Sequence, residues 1–271
     1  MDDPVLQVAA AELRLGGRIL WSDLQLSVQR GEFIAVLGAN GSGKTSLLKA
    51  ILGQHPLSAG EIRLLGDPVR RGDRRIGYIP QQRLADEGTA LRGRDLVALG
   101  VDGHRFGVGI PSRARREAVD AALDDVGARH FAKVPVARLS GGEQQRLRVG
   151  QALAGNPDLL LCDEPLLSLD LRQQRVVSDL IDRHRTERGF GVLFVTHDVN
   201  PILDAVDRVL YLAGGRFRIG TPDEVLRSDV LSELYGSPVD VIRSSGRIVI
   251  VGAPDQSHAH EHDHDHAEDL P

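Results

Sequence analysis

Cysteine is almost absent from this sequence, which has one, Cys162, in 271 residues. A single cysteine excludes a disulfide framework and any zinc site built from several cysteines, and it fits a reducing compartment. Long apolar runs are also absent, since none exceeds seven residues even when Gly and Ala are counted. Because a spanning helix needs about 20 apolar residues, we expect no part of this chain to cross a bilayer by itself.

A signal sequence is the next missing feature. The chain begins Met1-Asp2-Asp3-Pro4, which is acidic where a secretory signal peptide is basic, and no apolar core follows. We therefore expect the protein to remain in the cytosol.

The net charge of −5 is concentrated at the end of the chain. Residues 253–271 contain six acidic residues and no Lys or Arg, so residues 1–252 carry a net charge of only +1. A near-neutral body gives no reason to expect nucleic acid as a partner. Five of the ten histidines lie within residues 258–266. We expect one globular domain over residues 1–252 and a disordered, acidic, His-rich tail over residues 253–271.

Short apolar runs alternate with segments of helical periodicity, which predicts an α/β fold with a mostly parallel core sheet covered on both faces. The predicted strands are Leu6–Ala9, Phe33–Leu37, Glu61–Leu65, Ile76–Ile79, Leu159–Cys162, Val192–Val195 and Val209–Leu212. The predicted helices are Thr45–Leu52, Arg113–Val126, Glu143–Ala154 and Leu171–Arg188. The stretch from about residue 83 to 155 has no convincing strand and is predicted to be a helical subdomain. Gly214-Gly215 predicts a hairpin at the sheet edge, and Val239–Val251 predicts two more short strands.

Residues 38–45 fit the pattern G-x-x-x-x-G-K-[ST], between a predicted strand and a predicted helix. The glycines let backbone N–H groups converge on phosphate oxygens, and the helix N-terminus adds its positive dipole end. Lys44 can reach the β- and γ-phosphates of ATP, and the Thr45 hydroxyl can bind Mg²⁺. The predicted nucleotide-binding residues here are Gly38, Ala39, Asn40, Gly41, Ser42, Gly43, Lys44, Thr45 and Ser46.

Two adjacent carboxylates, Asp163 and Glu164, end the apolar run Leu159–Cys162. Doubly wound sheets bind their ligands at the carboxyl ends of such strands. We predict that Asp163 holds Mg²⁺ through water and that Glu164 is the general base that activates the attacking water.

A second glycine-containing helix start lies in residues 139–146, Leu-Ser-Gly-Gly-Glu-Gln-Gln-Arg. Ser140, Gly141 and Gly142 can form another anion-binding site at a helix N-terminus. One nucleotide has no use for two such sites about 100 residues apart. The sequence therefore predicts a head-to-tail homodimer in which this site serves a nucleotide held by the other subunit.

With this octet, the chain resembles the ATP-binding cassette (ABC) ATPases from residue 5 to about residue 235. The resemblance implies a P-loop nucleotide-binding domain with an antiparallel β edge and a helical subdomain. It implies that Gln81 is the Q-loop glutamine, which contacts Mg²⁺, with Gln82 as the alternative. It also places Asp170 in the D-loop at the dimer interface and makes His197 the switch histidine that contacts the γ-phosphate.

The sequence departs from the family pattern at the position that usually stacks on adenine. The family usually has an aromatic residue about 29 positions before the P-loop lysine, where this chain has Leu15. Trp21 is the alternative stacking residue, although we expect it to pack in the core. Cys162 is expected to be a small buried apolar residue within its strand.

A single ATP-binding cassette that has no membrane-spanning segment of its own must act on another protein. The resemblance implies the separate-chain ATPase of a bacterial importer, peripheral on the inner face of the cell membrane, which drives an integral-membrane permease. A soluble ABC ATPase acting in DNA repair or on the ribosome is the alternative, but it would have a coiled-coil insertion or two cassettes. A metal-binding regulator without turnover is a third possibility, which the intact Lys44, Asp163, Glu164 and His197 argue against.

The tail suggests the transported substrate. Alternating imidazoles and carboxylates can bind a borderline cation such as Zn²⁺ and, less selectively, Ni²⁺ or Cu²⁺. The predicted zinc ligands are His258, His260, His262, His264 and His266. With this tail the chain is similar to the ATPases of the zinc/manganese-type importers, which implies an extracytoplasmic metal-binding protein as a further partner. Zinc is the expected substrate, with manganese, nickel or a non-metal as alternatives, and a merely solubilising tail is also open.

Overall fold

The computed structural model describes residues 3–81, 91–102 and 112–252. Its strands are β1 (Leu6–Leu15), β2 (Arg18–Val28), β3 (Phe33–Gly38), β4 (Ala59–Leu64), β5 (Asp67–Pro68), β6 (Ile76–Ile79), β7 (Leu159–Asp163), β8 (Gly191–Val195), β9 (Arg208–Ala213), β10 (Arg216–Gly220), β11 (Asp240–Ser244) and β12 (Arg247–Val251). Its α-helices are α1 (Lys44–Ile51), α2 (Gly93–Asp102), α3 (Arg113–Asp125), α4 (Gly141–Leu153), α5 (Leu171–Arg188), α6 (Pro222–Val225) and α7 (Ser228–Tyr235). The predictions for Gln82 and for the tail lie outside the described residues.

The central sheet has the strand order β10-β9-β3-β8-β7-β6. All neighbouring pairs in it are parallel except β9 with β10, which is antiparallel. Strands β3, β7 and β8 are buried along almost their whole length, as expected for a parallel sheet covered on both faces. The structure therefore confirms the predicted α/β class and the mostly parallel core sheet.

Alternate residues of the central strands contribute to two separate cores. Phe33, Ala35 and Leu37 of β3 pack in one core with apolar residues of α2 to α5. Ile34 and Val36 pack in the other core with α1, β1 and β2. Because successive side chains of a strand point to opposite faces, the same buried strands hold both layers together.

A second, four-stranded sheet has the order β2-β1-β4-β5 and is antiparallel. The sequence pattern identified only the first four residues of β1 and missed β2. The structure shows why, since the β1–β2 register shifts three times between Val8 and Arg14. Each shift breaks the period-two alternation on which a prediction of strands depends.

The described residues between β6 and β7 contain the helices α2, α3 and α4 and two short 3-10 turns, with no strand among them. This agrees with the predicted helical character of that stretch, while the subdomain limits of about 83 and 155 stay a prediction. Within the described part of the chain, no helix is both long and apolar enough to span a membrane.

The C-terminal part of the chain forms two hairpins, the first at the predicted place and the second from the two short strands predicted within Val239–Val251. Gly214 and Gly215 connect β9 to β10, which is the edge strand of the central sheet. The second hairpin, β11–β12, forms a separate two-stranded sheet. Its residue Ile248 is buried in the core that contains α5, so the hairpin is part of the domain body.

Candidate nucleotide-binding site

The loop of residues 38–43 connects β3 to α1 and requires glycine at its two ends. Gly38 has a φ of 141°, and a Cβ there would lie 2.1 Å from the carbonyl oxygen of Leu212. Gly43 has a φ of 95°, and its Cβ would lie 3.0 Å from the Trp21 ring. Gly43 is also the N-cap of α1 and supplies no side-chain acceptor. The first N–H groups of α1 are therefore not capped by a side chain and are suited to bind an anion.

Lys44 is the first residue of α1, directly after this loop, and is only 6% exposed. Its Nζ donates hydrogen bonds to the carbonyl oxygens of Gly38 (2.7 Å) and Ala39 (2.9 Å). Burial lowers the pKa of Lys44 below its ordinary value of 10.5, against the opposing effect of the Glu164 and Asp163 carboxylates. The ammonium is thus held at the loop by backbone carbonyls, and no residue in the described part of the chain forms an ion pair with it.

Asp163 ends β7 and is 2% exposed. One carboxylate oxygen, Oδ1, accepts a hydrogen bond from Thr45 Oγ1 (3.0 Å), and the other, Oδ2, accepts one from the Tyr78 hydroxyl (3.4 Å). Burial raises the pKa of Asp163, and these two hydrogen bonds oppose the shift. The structure thus joins Thr45 and Asp163, two of the residues predicted to bind Mg²⁺, although they are 118 positions apart.

Tyr78 is a residue of this site to which the sequence analysis gave no role. Burial raises its pKa to about 12, so its hydroxyl keeps its proton and donates to Asp163 at neutral pH. The parallel pairing of β6 with β7 explains the position of Tyr78. Tyr78 pairs with Leu161, near the carboxyl end of β7 where Asp163 lies.

Glu164 leaves β7 in a left-handed conformation with a φ of 46°. This conformation costs a non-glycine residue about 1–2 kcal/mol, and it is held by a hydrogen bond from the Glu164 N–H to the carbonyl of Val195 (3.0 Å). The carboxylate oxygen Oε2 accepts a hydrogen bond from Gln81 Nε2 (3.2 Å). Gln81 and Glu164, predicted from separate motifs, are therefore in direct contact.

His197 follows β8, whose neighbours in the sheet are β3 and β7. Because these three strands are parallel, the 38–43 loop, the Asp163–Glu164 pair and His197 lie at the same edge of the sheet. His197 is exposed, while Thr196 before it is buried and donates from Oγ1 to the carbonyl of Asp198 (2.8 Å). The site thus has an accessible imidazole on a hydrogen-bonded turn.

Ser140, Gly141 and Gly142 form the start of α4, and Ser140 is its N-cap. The Ser140 N–H donates to the Glu143 carboxylate (2.9 Å), and the Glu143 N–H donates to Ser140 Oγ (3.4 Å). The first of these bonds holds the pKa of Glu143 below its ordinary value. Among the described residues, no hydrogen bond or ion pair connects this helix start to residues 38–45.

Asp170 has a comparable position at the start of α5, where its carboxylate accepts a hydrogen bond from the Gln173 N–H (2.8 Å). It is exposed, and this hydrogen bond lies within its own helix turn. The structure thus brings together the predicted residues of the loop, Asp163, Glu164 and Gln81, but not Ser140, Gly141, Gly142 and Asp170 with them.

Leu15, which stands where the family has its stacking aromatic residue, and Trp21, the alternative stacking residue, differ in their exposure. Trp21 is fully buried against the loop at Gly43, which confirms the expected packing role and leaves no ring face for adenine. Leu15 is 37% exposed at the β1–β2 turn. Cys162 is buried, as expected, and burial raises the pKa of its thiol.

Residues 21–167 match the family model described as ABC transporter. The chain is 35% identical over 235 residues to the zinc import ATP-binding protein ZnuC of Brucella abortus (strain 2308). This match covers 87% of this chain and 73% of that protein. It is 33% identical over 221 residues to the manganese transport system ATP-binding protein MntB of Bacillus subtilis (strain 168), covering 82% and 88%. The structure is similar to that of a metal-chelate type ABC transporter in an inward-facing conformation, with a TM-score of 0.78 and 27% identity over 92% of this chain and 96% of that one. Together with the phosphate loop and its carboxylates, these similarities show that the chain belongs to the ABC transporter family, as one of its ATPases.

Proposed function

We propose that this chain is the ATP-hydrolysing subunit of an importer that moves zinc through a separate membrane permease. The observation that carries the proposal is the similarity of more than four fifths of the chain to ATPases named for zinc import and for manganese transport. The nucleotide site supports the ATPase part through its own geometry.

The loop and Lys44 bind the phosphates of ATP. The Lys44 ammonium, which is held on the carbonyl oxygens of Gly38 and Ala39, exchanges part of these bonds for oxygens of the β- and γ-phosphates. The backbone N–H groups of residues 39–46 and the positive end of α1 complete the phosphate site.

Thr45, Asp163 and Gln81 form the magnesium site. The hydroxyl, carboxylate and amide groups of these residues are oxygen donors of the kind that Mg²⁺ prefers, and Thr45 and Asp163 are already in contact. Mg²⁺ neutralises charge that develops on the phosphates during transfer. Tyr78 holds the Asp163 carboxylate from its other side.

Glu164 is the general base. Its carboxylate accepts a proton from the water that attacks the γ-phosphorus, and the Gln81 amide orients it. His197, accessible at the same edge of the sheet, contacts the γ-phosphate.

The active form is a homodimer with two shared nucleotides. Ser140, Gly141, Gly142 and Asp170 of each subunit face the ATP bound to the other subunit, in the head-to-tail arrangement. The absence of a bond between this helix start and the described loop residues of the same chain supports this assignment.

The ATPase dimer lies on the cytoplasmic, inner face of the cell membrane. There it drives the integral-membrane permease subunits, while an extracytoplasmic metal-binding protein delivers the ion. The basis for these partners is the family and the names of the relatives.

Zinc is favoured over manganese by the tail. Imidazole nitrogen is a preferred ligand of Zn²⁺, whereas Mn²⁺ is suited by carboxylate and water oxygens. The five histidines at positions 258, 260, 262, 264 and 266 therefore point to zinc handling, even though the relatives include ATPases of both kinds.

The Glu164→Gln substitution tests the mechanism. We expect ATP hydrolysis to fall at least about 100-fold, because the base is lost, while ATP binding and ATP-dependent dimerisation are kept. Phosphate release and light scattering measure the two properties on the same sample. Hydrolysis near the wild-type rate would show that Glu164 is not the base.

A gene deletion tests the substrate. Whole-cell zinc, manganese and nickel are measured by elemental mass spectrometry under metal limitation, in the deletion strain and after complementation. We expect a selective fall in zinc that the wild-type chain restores and the Glu164→Gln variant does not. A selective fall in manganese would reassign the cargo, and unchanged metals would remove metal import from the proposal.

A further inference from the structure

The side chain of Asn200 connects the turn that carries His197 to the C-terminal hairpin. Its Nδ2 group donates hydrogen bonds to Asp198 Oδ1 (2.7 Å) and to the carbonyl of Ile248 (2.9 Å). Its Oδ1 accepts a hydrogen bond from the Ile248 N–H (2.8 Å). Both amide hydrogens and the oxygen of this half-buried side chain are therefore used.

On one side, a series of hydrogen bonds connects Asn200 to Asp198 and Thr196, the two residues that flank His197 in the sequence. The Asn200 N–H also donates to Asp198 Oδ1 (2.9 Å). The Asp198 N–H and carbonyl both bond to the hydroxyl of Thr196, whose own N–H donates to the carbonyl of Val36 in β3. His197 thus lies between two residues whose positions are set by a continuous set of hydrogen bonds.

On the other side, Asn200 contacts the free edge of β12. In the described part of the chain the hairpin forms a sheet of two strands with no third strand beside β12. The N–H and carbonyl of Ile248 bond instead to the Asn200 amide. Ile248 itself is buried in the core. The hairpin is therefore a fixed support for this amide.

We propose that Asn200 is a positioning residue for ATP hydrolysis, through which the C-terminal hairpin holds the turn of His197 in its reactive position. The role requires an amide, because only an amide can donate to the Asp198 carboxylate and the Ile248 carbonyl and also accept from the Ile248 N–H. The inference rests on the proposed role of His197 and not on the identity of the transported ion.

The chain offers a matched control for the hairpin. Ser228 Oγ, at the start of α7, accepts a hydrogen bond from the Val241 N–H of β11 (2.9 Å). Ser228→Ala therefore removes one attachment of the same hairpin without altering a bond to residues 196–198. The kcat of this variant shows how much the loss of one hairpin attachment changes ATP turnover by itself.

The experiment measures kcat and KM for ATP of the full-length chain and four variants. These are Asn200→Ala, Asn200→Asp, Ser228→Ala and His197→Ala, with thermal unfolding recorded for each. Asn200→Asp keeps the size of the side chain but removes both donated hydrogen bonds and puts a carboxylate beside Asp198.

We expect Asn200→Ala and Asn200→Asp to lower kcat about 5- to 20-fold with KM within about twofold, because a misplaced group affects the transition state rather than ATP binding. Ser228→Ala should stay within about twofold of wild type in both constants. Wild-type kcat in Asn200→Asp, or a loss in Ser228→Ala as large as in Asn200→Asp, would overturn the inference. Wild-type kcat in His197→Ala would instead overturn the proposed role of His197.

Discussion

At the residue scale, the nucleotide site contains two buried charges that oppose folding. Burial raises the pKa of Asp163 and lowers that of Lys44, so in each case the environment disfavours the charged form. The two groups are not in a salt bridge with each other, and their contacts are with neutral groups: Thr45, Tyr78 and backbone carbonyls. Such an arrangement favours the binding of Mg²⁺ and phosphate, which supply the missing opposite charges.

The free-energy cost of burying the Asp163 carboxylate depends on pH. Its pKa is higher in the folded chain than the ordinary 3.8, so between these two values the folded state binds more protons than the unfolded state. The free energy of unfolding therefore decreases as the pH rises through this range, and the full cost is present above the folded-state pKa.

We predict that Asp163→Asn stabilises the nucleotide-free protein and abolishes Mg²⁺-dependent ATP hydrolysis. The amide has the size of the carboxyl, can still accept from Thr45 and carries no charge. At pH 7 the unfolding temperature should rise by about 2–4 °C for each kcal/mol gained, and the gain should shrink as the pH is lowered towards 4. Calorimetry over a pH series measures the rise in unfolding temperature and its dependence on pH. An unfolding temperature at or below that of wild type at pH 7 would contradict the prediction.

At the element scale, two helices of equal length begin with a serine N-cap, and only the cap of α4 is part of a capping box, with Glu143. Ser140 caps α4 and Ser112 caps α3, and each helix has 13 residues. Ser112 Oγ accepts from the Arg115 N–H (3.1 Å), as Ser140 Oγ does from the Glu143 N–H. Only Ser140 is proposed to contact the nucleotide of the other subunit.

We predict that Ser140→Ala and Ser112→Ala each lower the free energy of unfolding by about 0.5–2 kcal/mol, the usual effect of a lost N-cap. Only Ser140→Ala should also raise the ATP concentration needed for dimerisation. Denaturant unfolding and light scattering with ATP in the Glu164→Gln background measure the two effects. Equal dimerisation by both serine variants would remove Ser140 from the shared site.

At the scale of the whole molecule, the catalytic groups come from distant parts of the chain and meet because parallel strands end together. The C-terminal hairpin belongs to this assembly, since β12 is bonded to Asn200 near His197. The His-rich residues follow β12 directly in the sequence. A deletion that begins after Gly252 therefore leaves every described contact of the catalytic site in place.

We predict that removal of residues 253–271 leaves kcat for ATP within about twofold and abolishes zinc binding by the isolated subunit, because the five imidazoles are lost. In the described residues there is no other group of three or more His, Cys, Asp or Glu that could hold a metal ion. Isothermal titration with Zn²⁺ compares the two chains. Equal zinc binding by both would exclude the tail as the site.

Features that depend on short-range pattern could be predicted from the amino-acid sequence. The loop 38–45, the carboxylates Asp163 and Glu164, and most strands of the central sheet could be predicted because their signals lie within a few adjacent residues. The tertiary structure decided the features that depend on distance in space. The contacts of Tyr78 with Asp163 and of Asn200 with Ile248 join residues 85 and 48 positions apart, and no local pattern encodes such pairs. The strand β2 was missed for a related reason, since its register with β1 shifts repeatedly between Ile19 and Leu26, which breaks the alternation that a local pattern would show.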